Sequence, residues 1–296
     1  ISMMNIVRIS KFKFLENFIS CYFLVFILSS CTITKHVPKE KYLLRKVKID
    51  ILNSNNSSTI SKEELYNLLL QKPNRKVFLN YRFYLRLYNL SNQERIDQKI
   101  IKKQTKTEKI NSKIKQQNSS SLISDSNYVQ RPLKVRKLVF GERLQNAGED
   151  PVIYSALKLN RTKEQLKKHL FNKGYFKSEI TDSIFVLDNG QIDIHYFIKL
   201  RNPMHLSSIK YYCPDILISN YLDSIQSNSF LKKEAIFDTD NLVKERNRIN
   251  DFLTNNGFYN FNKEFIYFDI DTNYITNTVN ITLGIQNYKK INQINN

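Results

Sequence analysis

The chain has 296 residues, 41% of them hydrophobic, enough for one large core or two small ones. Only three cysteines are present, Cys21, Cys31 and Cys213, and the first two lie within the N-terminal 31 residues that read as an export segment, which excludes an internal disulfide framework and leaves no zinc-site spacing. The net charge of +19 would suit nucleic acid or an anionic membrane, but abundant Lys, Asn and Ile beside six Gly and no Trp read as AT-rich codon usage, and no basic stripe with interleaved aromatics has nucleic-acid-binding spacing, so a nucleic-acid partner is not expected.

Arg8, Lys11 and Lys13 precede an apolar run of 11 residues, 18–28, followed by Ser29-Ser30-Cys31. This is the layout of a secretory signal, and the run is shorter than the roughly 20 residues a membrane-spanning helix needs. Leu28-Ser29-Ser30-Cys31 resembles a lipobox, in which cleavage before a cysteine frees a thiol that takes a diacylglyceryl group. Residues 1–31 are therefore expected to be a lipoprotein signal with lipidation at Cys31, and 32–41 a polar tether.

Residues 42–52 alternate, with Val47, Ile49 and Ile51 on one side and Lys46, Lys48 and Asp50 on the other, as in a half-buried strand. Ser61 and Glu64 form a capping-box signature for a helix expected to end near Lys72-Pro73-Asn74. Residues 81–90 are aromatic and apolar, a short helix or an extended piece. Residues 91–131, rich in Lys, Gln, Asn and Ser, are an expected polar insertion, a loop or a charged helix rather than core. Order resumes over 133–147, and Gly148 and Pro151 bracket a turn. A helix is expected over 162–172, stopped at Gly174. Strands at 180–187 and 191–200 flank the tight turn Asp188-Asn189-Gly190.

The pattern then recurs. Leu166, Leu170, Gly174, Tyr175 and Phe176 match Ile249, Leu253, Gly257, Phe258 and Tyr259 at an offset of 83 residues. A strand at 206–212 and helices near 217–227 and 241–253 precede the second copy, and strands at 265–271 and 278–285 follow it. Each unit reads strand, helix, helix, strand, strand, and equal patterns at equal offsets mark repeated modules. The glycine and its aromatic neighbours are a fold signature, with the rings packing the helix end on the sheet.

This βααββ order resembles POTRA domains, the periplasmic modules of BamA/TamA-family outer-membrane proteins. Gln71-Lys72-Pro73-Asn74-Arg75-Lys76, Tyr84-Leu85-Arg86-Leu87-Tyr88-Asn89-Leu90 and Gly148-Glu149-Asp150-Pro151-Val152-Ile153-Tyr154 are similar to Bacteroidetes-type members, which often begin with a lipoprotein signal. The resemblance covers about 40–90 and 132–290. It implies an α+β chain of tandem POTRA-like modules, 42–200 and 201–287, each a three-stranded mixed sheet packed on two helices, with 288–296 starting a further module or linker. The family's β-barrel strands are not visible in this sequence, so a truncated or split protein is expected.

The resemblance implies a module of outer-membrane protein assembly or translocation on the periplasmic face of the outer membrane, with unfolded clients or assembly subunits as partners. Strand addition is expected at the penultimate strand of each unit, at Ile180, Phe185 and Leu187 and at Phe265, Tyr267 and Asp269. The alternative is an envelope lipoprotein scaffold docking on a separate barrel subunit. No nucleophile elbow, P-loop, HExxH or dinucleotide fingerprint is present, so no enzyme activity, metal or cofactor is expected. Asp269 and Asp271 share a strand face but read as a solvated edge rather than a metal pair.

Overall fold

The computed structural model of the chain describes residues 33–52, 60–77, 81–124 (side chains to 120) and 129–286. The expected signal segment with Cys31, and residues 287–296, lie outside them. The described residues divide into two compact units, drawn from 1–47, 71–154 and 184–194 and from 48–70, 155–183 and 195–296. The elements are β1 (Leu43–Leu52), α1 (Lys62–Asn67), α2 (Phe83–Asn89), α3 (Gln93–Ser124), α4 (Phe140–Ala147), α5 (Ala156–Asn172), β2 (Glu179–Leu187), β3 (Gln191–Lys199), β4 (His205–Tyr212), α6 (Ile216–Ile225), α7 (Thr239–Asn255), β5 (Ile266–Asn273) and β6 (Thr278–Ile285). The fold is α+β, with one three-stranded sheet ordered β1-β3-β2 and another ordered β4-β6-β5.

Local chemistry explains most element ends. Ser61 Oγ accepts from Glu64 N at 3.1 Å, the expected cap of α1. The helix then stops at Asn67, short of the expected proline, and the Leu70 N–H goes to Thr162 Oγ1 at 3.3 Å. Helix α5 begins six residues before the expected Thr162. Ser155 caps it by accepting from Lys158 N at 3.4 Å, and Thr162 is buried inside the helix. The polar insertion is mostly one helix, α3, 32 residues long. Among the described residues, no helix is long and apolar enough to cross a membrane.

In the unit that holds the second sheet, β4 runs parallel to the central β6 and β5 antiparallel to it. Val279, Ile281 and Leu283 of β6 are buried. They meet Ile218, Leu222 and Ile225 of α6 and Leu242, Ile249 and Leu253 of α7 in two apolar clusters. Those spacings are one face of a helix. Glu245 shares the inner face of α7 and is fully buried. It binds Arg248 Nη2 at 2.5 Å and accepts from Phe230 N at 3.0 Å and from the Tyr211 hydroxyl at 3.3 Å. Hydrogen bonding to Glu245 raises the Arg248 pKa, and burial raises that of the Tyr211 phenol.

In the other unit, Arg45 makes a two-point pair with Asp193, its Nε donating to Oδ1 at 2.8 Å and its Nη2 to Oδ2 at 2.5 Å. Arg82 donates to the Arg45 carbonyl, and burial lowers the Arg82 pKa. The expected tether is fastened here. Lys35 Nζ donates to the carbonyls of Asn89 and Ser91, both at 2.8 Å, and Asn89 Nδ2 donates to the Ile33 carbonyl at 2.8 Å. A lysine ammonium among the last carbonyls of α2 also answers that helix's negative end.

Candidate functional site

Each sheet has two edges, and the first strand of each is partly covered. Leu44 N donates to Val152 O at 2.8 Å and Tyr154 N to Tyr42 O at 2.9 Å, so residues 152–154 lie along the start of β1. Leu206 N donates to Ala235 O at 2.9 Å and Phe237 N to Met204 O at 2.8 Å, so residues 234–237 do the same at β4. The opposite edges are β2 and β5. Among the described residues, no backbone hydrogen bond outside the sheet reaches β5.

The phase of β5 follows from its register. Gln286 N donates to Phe265 O at 2.8 Å, and the pairing runs unbroken from Ile266↔Ile285 to Asn273↔Thr278. Hydrogen-bonded and non-bonded pairs alternate in an antiparallel ladder. Tyr267, Asp269 and Asp271 therefore spend their backbone groups on β6. Ile266, Phe268, Ile270 and Thr272 turn theirs outward. Phe265 precedes the strand, in a 3-10 turn at Lys263–Phe265, and packs on the core. Of the residues expected on this edge, Tyr267 and Asp269 belong to the strand, but neither offers a free backbone group. Sequence periodicity carries no signal of this phase, which depends on the neighbouring strand.

The β2 edge differs in its side chains. Ile180 and Leu187 are half-buried, and Phe185 is 48% exposed. Ile184 at 39% and Val186 at 57% join it, so three consecutive apolar residues face water. No charge lies between Ser183 and Leu187, and Asp182 is paired with Lys163 at 2.7 Å. On β5 the corresponding edge carries exposed Asp269 and Asp271. Among the described residues, no group of three or more His, Cys, Asp or Glu gathers to hold a metal.

The repeated glycines both adopt the left-handed conformation, with φ of +87° at Gly174 and +96° at Gly257. Their surroundings differ. A Cβ at Gly174 would lie 2.6 Å from the Phe237 carbonyl oxygen, whereas at Gly257 it would meet nothing within 4 Å. Tyr175 is buried, and Phe176 stacks on Phe171 at 4.1 Å and meets Phe237 edge-on at 5.4 Å. Phe258 packs on its core and meets Tyr221, but Tyr259 is 84% exposed. The expectation that both rings of each copy pack down therefore fails at Tyr259, where no described residue supplies the partner that Phe237 gives Phe176.

A repeated strand-helix-helix-strand-strand pattern, two mixed sheets and paired left-handed glycines set the frame for comparison with known proteins. The POTRA family profile, described as surface antigen variable number repeat, matches residues 47–201. The chain belongs to the POTRA family. Solved structures similar to this POTRA chain include POTRA3-5 of Haemophilus influenzae BamA, at 12% identity and a TM-score of 0.37, covering 85% of this chain and 69% of that one. POTRA1-2 of the periplasmic domain of Omp85 from Anabaena matches at 10% identity and a TM-score of 0.32, covering 83% and 96%. CdiB from Escherichia coli matches at 7% identity and a TM-score of 0.27, covering 86% of this chain and 28% of that one. No curated protein matches the sequence.

Proposed function

We propose that this chain is the periplasmic POTRA region of an outer-membrane protein assembly or translocation system, of the BamA/TamA kind, lipid-anchored through Cys31. Its modules are taken as 42–200 and 201–287, with 288–296 starting a further module or linker. Family membership and the export-type N-terminus support this reading. It works by strand addition: an extended client or partner segment pairs with a free sheet edge, gaining main-chain hydrogen bonds from the ladder and specificity from alternate side chains.

The observation that carries the proposal is the β2 edge over Ile184–Leu187. It sets three consecutive exposed apolar side chains, Ile184, Phe185 and Val186, on an edge strand with no charge among them. Soluble proteins commonly guard such an edge with charge, as Asp269 and Asp271 do on β5. The client site is therefore assigned first to β2, at Phe185 and its neighbours, and second to β5.

The test is titration of the isotope-labelled chain with an unfolded outer-membrane strand peptide, following amide shifts. Shifts over 184–187, lost in the Val186→Lys variant, are expected. Shifts confined to other surfaces would sink the strand-addition reading. Lipidation is tested separately by the mass of the N-terminal fragment from cells and by membrane retention of Cys31→Ser.

A further inference from the structure

The chain's positive charge is not evenly spread. Residues 93–138 hold twelve Lys or Arg against four Asp or Glu, so +8 of the total +19 sits in under a sixth of the length. A codon bias acting on the whole chain does not concentrate charge in this way. Helical winding sorts it further. At about 100° per residue, Arg95, Lys99, Lys102, Lys106, Lys109 and Lys113 fall within an arc of about 80° and form a stripe about 27 Å long. All six are exposed, and none forms an ion pair with a described residue. Glu94, Asp97 and Glu108 fall on the far side of the helix.

A third face of α3 is occupied by an extended strap, residues 129–138. Asn111 Nδ2 donates to the Lys134 carbonyl at 2.9 Å while its Oδ1 accepts from Lys134 N at 2.8 Å. Asn118 makes the same two bonds with Arg131, both at 3.0 Å. Lys103 closes the strap's far end on the Leu138 carbonyl at 3.1 Å. The strap presents Val129, 85% exposed, and Val135, 89% exposed, among Arg131, Lys134 and Lys137.

We infer that the basic stripe of α3, with this strap, is a docking face for anionic phospholipid headgroups. Like charges at i,i+3 and i,i+4 repel one another in water, and a negatively charged surface relieves that cost. Apolar tips beside cations fit the headgroup boundary of a bilayer. Helix α3 carries no aromatic ring, so it offers no stacking platform for single-stranded nucleic acid. The placement agrees. Ile33 is fastened to Asn89, and Lys35 to Ser91, two residues before α3 begins. The face rests on the lipoprotein reading for its setting, because one acyl anchor plus a polybasic surface hold a chain at a bilayer more firmly than either alone.

The test uses the full chain carrying Cys31→Ser, so that no lipid contributes, with vesicles of phosphatidylcholine alone or mixed with phosphatidylglycerol. Sedimentation is expected to show binding that requires phosphatidylglycerol and weakens with salt. The K102E/K106E/K109E variant is expected to lose at least about tenfold of it. A charge-matched K158E/K168E/K232E control, at exposed positions in the other unit, should keep most of it, with circular dichroism showing both variants folded. Equal loss in the control would overturn the inference in favour of bulk charge. Undiminished binding by the stripe variant would overturn it, as would tighter binding to duplex RNA than to vesicles. The mass of Cys31 from cells decides the lipid separately, so failure of lipidation and failure of the stripe are told apart.

Discussion

The ring of Tyr267 occupies the space that a side chain at Gly284 would need: a Cβ built on Gly284 would fall against Tyr267 Cζ. The two residues sit directly opposite each other on β5 and β6. A glycine weakens a strand because it packs nothing, and a cross-strand ring laid over it restores that packing.

Gly284→Ala is therefore expected to destabilise the protein by about 1 kcal/mol, because the Tyr267 ring is half-exposed and can swing into water rather than strain the backbone. Paired with Tyr267→Ala the effects should be non-additive, the double variant costing less than the two single costs together. Denaturant unfolding of the four proteins measures this, and strict additivity would separate the ring from the glycine.

Glu245 is fully buried, and its partner Arg248 is partly exposed. Removing Glu245 strands the guanidinium and the Phe230 amide, so Glu245→Ala is expected to cost about 3 kcal/mol. Replacing both, as Glu245→Leu with Arg248→Met, should cost clearly less. Thermal unfolding of the two variants gives the comparison.

The strap is held by side-chain amides that imitate a neighbouring strand. Asn111→Ala should raise hydrogen exchange at the Lys134 amide by about fivefold, as expected for an exposed bond worth about 1 kcal/mol. Asn111→Asp keeps the acceptor for that amide and should fall between. The Arg131 amide should respond to Asn118→Ala and much less to Asn111→Ala.

Glu142 carries a pH dependence. Hydrogen bonds from Arg136, at 2.7 Å, and from Val139 N, at 2.6 Å, hold its pKa at about 2 instead of 4.5. Val139 has no side-chain oxygen, so only the carboxylate half of a capping box forms at α4. A depressed carboxylate stabilises above the unfolded pKa, and that stability is lost as pH falls through the folded one. The difference in melting temperature between the parent and Glu142→Gln should be full above about pH 4.5 and fade towards pH 2.

Much of the architecture was legible in the sequence. The alternation of 42–52, the Ser61 cap, the turn at Asp188-Asn189-Gly190 and the repeat of Gly174 at Gly257 are local patterns, and each produced the element it implied. The POTRA order followed from their sequence. The long helix α3 was harder, since Ile96, Ile100, Ile110 and Ile114 are too few to separate a helix from a polar loop. Its stripe of six cations is visible only after the helical winding is known.

By itself, then, the sequence determined the order of the strands and the left-handed stops, because these depend on residues a few positions apart. Tertiary structure decided the rest. Gln286 beside Phe265 decides which β5 groups face outward. Phe237 decides that Phe176 is covered, while Tyr259, with the same place in the repeat, stands in water. Asn111 and Asn118 decide that the strap lies on one face of α3 and leaves the lysines of another open. Hydrogen-bond phase, burial and charge arrangement belong to pairs of segments, and a pair exists only once the chain has folded.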